Sequence, residues 1–218
     1  MMTEVKVMVF GGAGVGKRAL TERFCPDNEY DPTLEDSHRK EIDVDGWQCI
    51  VDIQGIMGEG EYTALRDQYI RVGQVFILAY SITSRTSFSR IREFHNNIQE
   101  VKEYTRVNAT SDQSRSERPY NVSIILAGTK NDLEAQREVS VEEGQMLAKS
   151  LGCWFIETSA KNNTNVDKLF YDSVRWFRQK NPPIVPQTPA PPQSKKGLGR
   201  LLGSRQRKKD DGSRCVVI

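Results

Sequence analysis

The chain has no apolar run approaching the ~18 to 20 residues that a membrane-spanning helix requires. Its longest run is Val75-Phe76-Ile77-Leu78-Ala79-Tyr80. Glu4 and Lys6 stand where a secretory leader would carry its apolar segment, so neither a spanning nor a secreted protein is expected. The four cysteines, at positions 25, 49, 153 and 215, share no metal-ligand or disulfide-framework spacing. Three are expected to be reduced packing residues. Glycine and proline, 16 and 9 of 218 residues, are too few for a collagenous chain, and 37% hydrophobic residues are too many for a disordered one. What remains is one globular domain with a tail.

The total charge of +2 is unevenly placed. Positions 195, 196, 200, 205, 207, 208, 209 and 214 are Lys or Arg against Asp210 and Asp211, so this stretch is +6 and the rest of the chain is −4. Six of the nine prolines fall between Pro182 and Pro192, where fixed φ and missing donors favour an extended spacer. The reading is a domain over 1–180, a linker over 181–194 and a basic tail over 195–218. No aromatic residue is interleaved with the tail's basic residues, which argues against nucleic acid as its partner.

Within the domain, apolar strands alternate with amphipathic helices. Strands are predicted at Glu4–Phe10, Val75–Ser81, Val122–Ala127 and Cys153–Ile156, and helices at Lys17–Phe24, Tyr62–Arg71, Ser87–Tyr104, Ser140–Leu151 and Asn165–Gln179. Ser140 with Glu143 forms a capping box. Asp45-Gly46 between Arg39–Val44 and Trp47–Ile53 signals a type I′ hairpin and one antiparallel pair. The fold class is α/β: three layers around a six-stranded, mostly parallel sheet flanked by about five helices, with ligands at the carboxyl ends of the strands. Residues 105–120, polar and irregular, read as a surface insertion.

Gly11-Gly12-Ala13-Gly14-Val15-Gly16-Lys17 follows the first strand and opens a helix. Glycines let backbone NH groups curl around phosphate oxygens, and Lys17 adds a point charge. The next position in such a loop carries a hydroxyl that ligates magnesium; here it is Arg18, followed by Ala19. Thr129-Lys130-Asn131-Asp132 follows another strand, and the Asp132 carboxylate can accept from guanine's ring NH and amine, whereas adenine presents an acceptor there.

These blocks, together with Met2–Lys6, Tyr30-Asp31-Pro32-Thr33-Leu34-Glu35-Asp36-Ser37 and Tyr62–Tyr69, resemble the Ras family of small GTPases over residues 2–180. The resemblance implies GTP/GDP binding through Gly11, Ala13, Gly14, Val15, Gly16, Lys17, Arg18, Ala19, Thr33, Gly58, Thr129, Lys130, Asp132 and the Ser159-Ala160-Lys161 loop. Thr129 replaces the usual Asn, as in the related Rho family, and the segment from Thr21 to Tyr30 is shorter than in Ras. Tyr30 to Ser37 resembles the effector loop, which implies effector proteins pairing with an edge strand, and the family also implies an exchange factor. Thr33 is implied as a magnesium ligand.

An ungapped alignment from Glu41 through Arg71 puts Gly55 at the family's magnesium-water aspartate and Glu59 at its water-orienting glutamine, and keeps Gly58. A gapped alternative makes Asp52-Ile53-Gln54-Gly55 the equivalent motif. In the ungapped reading Mg²⁺ support is depleted and hydrolysis is impaired by Arg18, Gly55 and Glu59, with no catalytic residue intact. Two other readings stay open: an active switch cycling between GTP and GDP, with Asp52 as the magnesium carboxylate, and a nucleotide-free scaffold.

Cys215-Val216-Val217-Ile218 has the form of a prenylation box, which implies a prenyltransferase as partner; terminal Ile leaves farnesyl and geranylgeranyl both open. One lipid anchors marginally, and the basic tail adds attraction to anionic lipids. A monomer at the cytoplasmic face of the plasma membrane or another membrane is expected.

Overall fold

A computed structural model describes residues 3–26, 37–57, 63–109 and 121–182. By its internal contacts the chain divides into Met1–Pro183 and Ile184–Ile218, and every described residue belongs to the first unit. Six strands form one sheet: β1 (Thr3–Gly11), β2 (Ser37–Val44), β3 (Trp47–Met57), β4 (Val75–Ser81), β5 (Ser123–Thr129) and β6 (Trp154–Glu157). Their order is β2-β3-β1-β4-β5-β6, with β2 antiparallel to β3 and the other pairs parallel. The helices are α1 (Lys17–Phe24), α2 (Thr63–Val72), α3 (Arg85–Ser89), α4 (Ile91–Ala109), α5 (Val141–Leu151) and α6 (Val166–Lys180).

Strand alternation sorts the core into two layers. Val5, Val7, Val9, Val51, Ile53, Ile77, Ala79 and Ile125 pack against α1 and α6. Met8, Phe10, Ile56, Phe76, Leu78, Tyr80 and Leu126 pack on the other face against α2, α4 and α5. β4 is buried along its whole length, as its unbroken apolar run requires of a central parallel strand. Asp45 and Gly46 both have positive φ, 56° and 79°, so the hairpin adopts the predicted turn. Ser140 and Glu143 form the predicted capping box at α5.

Three local boundaries differ from the sequence reading. The helix expected over 87–104 begins earlier, at Arg85, where Ser84 caps α3 by accepting from Ser87 N and the Ser87 hydroxyl turns back onto Ser84 O, and it is interrupted at Arg90 into two helices. α4 then runs through Ala109, so the first residues of the expected insertion, from Thr105, are helical; 110–120 lie outside the described residues. β3 extends past Ile53 to Met57, in unbroken parallel register with β1 from Thr3–Cys49 to Gly11–Met57.

Candidate functional site: the loops at the strand ends

The carboxyl ends of β1, β3, β4, β5 and β6 lie at one end of the sheet, and the loops leaving them assemble the site. β1 runs tight to β4 at Gly11, where a Cβ would lie 2.5 Å from Ala79 O, so no larger residue fits this exit. Gly14 (φ 69°) and Gly16 (φ 99°) take the left-handed conformations that the turn into α1 demands. Lys17 is buried in the middle of this loop, with Nζ donating to Gly11 O and Gly12 O, both at 2.8 Å. Burial lowers its pKa. The ammonium therefore lies inside the ring of backbone that the sequence assigned to phosphate. Val15 is buried and anchors the loop to the core, while Ala13 and Ala19 are exposed.

Thr129 fastens this loop to the base-binding side. Its hydroxyl lies 2.5 Å from Val15 O and 2.9 Å from Tyr80 O, so one buried side chain joins the first loop, β4 and β5. Lys130 follows in the left-handed conformation (φ 62°) and opens a 3-10 turn over Asn131–Gln136. Asp132 accepts a 2.6 Å hydrogen bond from the Ser159 hydroxyl, which also accepts from Asn162 N. Asn131 N donates to Thr158 O, and Ser159 pairs with Thr164 across the neighbouring loop. Thus Thr129, Lys130, Asp132 and Ser159, predicted separately, form one connected set; Ala160 is half-buried against the core and Lys161 is exposed.

The sequence reading missed Arg137. Its guanidinium holds Glu157 in a fork, Nη1–Oε1 at 2.7 Å and Nη2–Oε2 at 2.8 Å, with both side chains largely buried. Glu134 adds a further pair. These carboxylates raise the Arg137 pKa. The fork ties the turn after Asp132 to the end of β6, so it fixes the spacing of the two base-side loops. No local motif announces it, since the partners are separated in sequence and meet only through the β5–β6 pairing.

Arg18 and Gly55 occupy the two expected magnesium positions. Arg18 lies on the exposed face of α1 with Nε 2.6 Å from Glu22 Oε1. Gly55 pairs with Val9 in β3 and shares the alternation of Val51 and Ile53, so position 55 lies on the α1 face near the strand end. Asp52 lies opposite Lys6, on the other face of the sheet and three residues further from Gly11 than Val9, the partner of Gly55. Its buried carboxylate lies 3.6 Å from Arg39, and Oδ1 has no partner. Burial is the main force raising the Asp52 pKa; Arg39 opposes it and Glu4 adds to it. Among the described residues no three His, Cys, Asp or Glu side chains gather to hold a metal ion. In the ungapped reading an arginine and a glycine stand where the family's magnesium needs oxygen ligands, so these two positions do not fit the ion. Tyr30, Asp31, Pro32, Thr33, Leu34, Glu35, Asp36, Gly58, Glu59 and Cys215 lie outside the described residues, and Ser37 enters only as the first backbone position of edge strand β2.

The Ras family model matches residues 6–179. The chain belongs to the Ras family. It is 48% identical over 189 residues to Ras-like protein B of Aspergillus fumigatus, covering 82% of this chain and 79% of that protein. To Protein ras-2 of Neurospora crassa it is 42% identical over 220 residues, 98% and 96% of the two chains. To Ras-like protein 1 of Pyricularia oryzae it is 44% identical over 219 residues, 96% and 90%. Ras-family proteins are small GTPases that bind GTP and GDP and engage effectors and regulators, and this chain is a Ras-like member of that class.

Proposed function

We propose that this Ras-family chain is a membrane-anchored guanine-nucleotide-binding signalling protein with little intrinsic GTP hydrolysis, working as a binding module set by nucleotide exchange or abundance. The observation that carries the reading is the pairing of Arg18 with Glu22 together with Gly55 on the α1 face of β3. Phosphoryl transfer in this class is mainly positioning and charge neutralisation, and these positions supply neither a hydroxyl nor a carboxylate. Asp52 faces away from the loop of Lys17, which favours the ungapped reading over the switch reading that depended on it. In the ungapped reading Glu59 replaces the water-orienting amide with an acceptor that the γ phosphate repels. Binding keeps more support than catalysis: Lys17, Thr129, Asp132 and Ser159 are each fixed by hydrogen bonds. Effectors are assigned to edge strand β2 and the segment before it, by strand addition. The anchor is prenylation of Cys215 with the basic tail held by anionic lipids at a cytoplasmic membrane face.

The test is the nucleotide content of protein purified with magnesium, then single-turnover hydrolysis on the same sample. Retained, unhydrolysed GTP is expected. Phosphate release on the order of 10⁻⁴ s⁻¹, the slow intrinsic Ras rate, would restore the ordinary switch. A preparation without guanine nucleotide would favour the scaffold reading.

A further inference from the structure

The three tryptophans of the chain, Trp47, Trp154 and Trp176, lie at the end of the sheet opposite the nucleotide loops. Trp47 and Trp154 are the first residues of β3 and β6, and parallel pairing puts both at the strand-start end. α6 runs back along the sheet and ends there. Arg178 Nη1 reaches Val44 O, Lys180 Nζ donates to Val122 O, and Asn181 exchanges hydrogen bonds with Asn121.

The indole rings carry cations. The Arg178 guanidinium lies 5.1 Å from the Trp47 ring centre, and Lys180 Nζ lies 4.0 Å from that of Trp176. Trp154, 53% exposed, lies against Trp176 with centroids 5.9 Å apart. Among the described residues Arg178 and Lys180 make no close ion pair, although the Asp45 carboxylate interacts with Arg178 at longer range, whereas the neighbouring Arg175 is paired directly with Asp45 and Asp172. From β3 to β6 the row spans four strand spacings, roughly 19 Å. Tryptophan, with an apolar body and a polar NH, combined with Lys and Arg that make no close ion pair, is the chemistry of the membrane–water boundary.

The geometry points to this row as a surface that seats the folded domain on an anionic lipid bilayer. The inference rests on the membrane-anchored reading above and goes beyond it. A linker the length of 181–194 spans up to roughly 40 Å, so a lipid on Cys215 does not by itself set which face of the domain meets the membrane. The Trp row gives it one orientation. With that end against lipid, the nucleotide loops face away from the membrane, open to an exchange factor.

Residues 181–218 contain no tryptophan, so indole fluorescence reports the folded domain and not the tail. The test mixes the full unlipidated chain with vesicles of phosphatidylcholine and phosphatidylserine in a ratio of roughly 7:3, carrying brominated acyl chains. Sedimentation and quenching of tryptophan emission are both read. Quenching is expected, with Trp154→Ala and Lys180→Gln each weakening vesicle partition by about fivefold in protein that still melts cooperatively above the assay temperature. Sedimentation without quenching would overturn the seating surface and leave the tail anchor standing. Absence of sedimentation would overturn both. Vesicle-free self-association abolished by Trp154→Ala, with no quenching, would reassign the row to a second copy of the chain.

Discussion

Position 55 has no side chain, and a Cβ there would meet nothing within 4 Å. Its φ lies outside the left-handed region, so an aspartate is admitted without strain. Arg18 pairs with Glu22 in an exposed i,i+4 contact, and loss of that contact costs about 0.5 kcal/mol. The combined Arg18→Ser and Gly55→Asp variant is therefore expected to fold and to regain metal-dependent retention. Chelation should speed release of a fluorescent GDP analogue about tenfold in the variant and less than about twofold in the parent chain. Equal acceleration in both would show that these two positions do not set metal dependence.

Asp52 makes a different prediction. Its folded pKa is raised, chiefly by burial, so between the unfolded and folded values the native state holds more protons than the unfolded one. Stability from this group falls as pH rises through the folded value, and at neutral pH its buried charge is a cost. Asp52→Asn keeps an amide donor toward Glu4 and should melt higher than the parent at neutral pH, the gain vanishing in acid below the ordinary aspartate range. A gain that persists unchanged in acid would mean that charge burial is not its source.

Among the elements, α5 lies unusually close to β6 at Gly144. A Cβ there would lie 2.5 Å from the Phe155 ring and 2.7 Å from the Tyr80 hydroxyl. Gly144→Ala should therefore destabilise by about 1 to 3 kcal/mol, although alanine is the better helix former by about 1 kcal/mol. Chemical denaturation reads the sign directly, and a stabilised variant would mean that α5 shifts at little cost. The same contrast between local and distant causes explains what was legible in the sequence. The Asp45-Gly46 turn, the Ser140 cap and the β4 run are local signals, and each appears where it was read. The early start of α3 depends on the Ser84 hydroxyl, which caps the helix by accepting from Ser87 N and which periodicity does not register. The last residues of β3 carry a glycine and no clear alternation; they are strand because β1 pairs with them. At the site, the loop of Lys17 and the Thr129–Asp132 segment were readable because each is contiguous. The Arg137–Glu157 fork and the face of Asp52 come from strand pairing and register.

At the scale of the molecule, the proposed anchor has separable charge and lipid contributions. In that reading Cys215→Ser would remove the lipid and leave the +6 segment, whose attraction to anionic membranes is screened within about 8 Å at physiological salt. The variant should remain partly with membranes in low salt and leave them in high salt, while the parent is retained fully in low salt and more than the variant in high salt, as read by fractionation. Nucleotide content should be the same in the two proteins. A salt-resistant variant would assign the anchor elsewhere.

β1 begins at Thr3 on the same end of the sheet where α6 finishes at Lys180. The folded unit therefore has both chain exits at one pole and its ligand loops at the other. A fluorescent protein or bulky affinity tag fused ahead of Thr3 would crowd the pole that carries Trp154 and the end of α6. A reporter placed in the hydroxyl-rich turn after β4, at the far pole, would leave that pole uncovered.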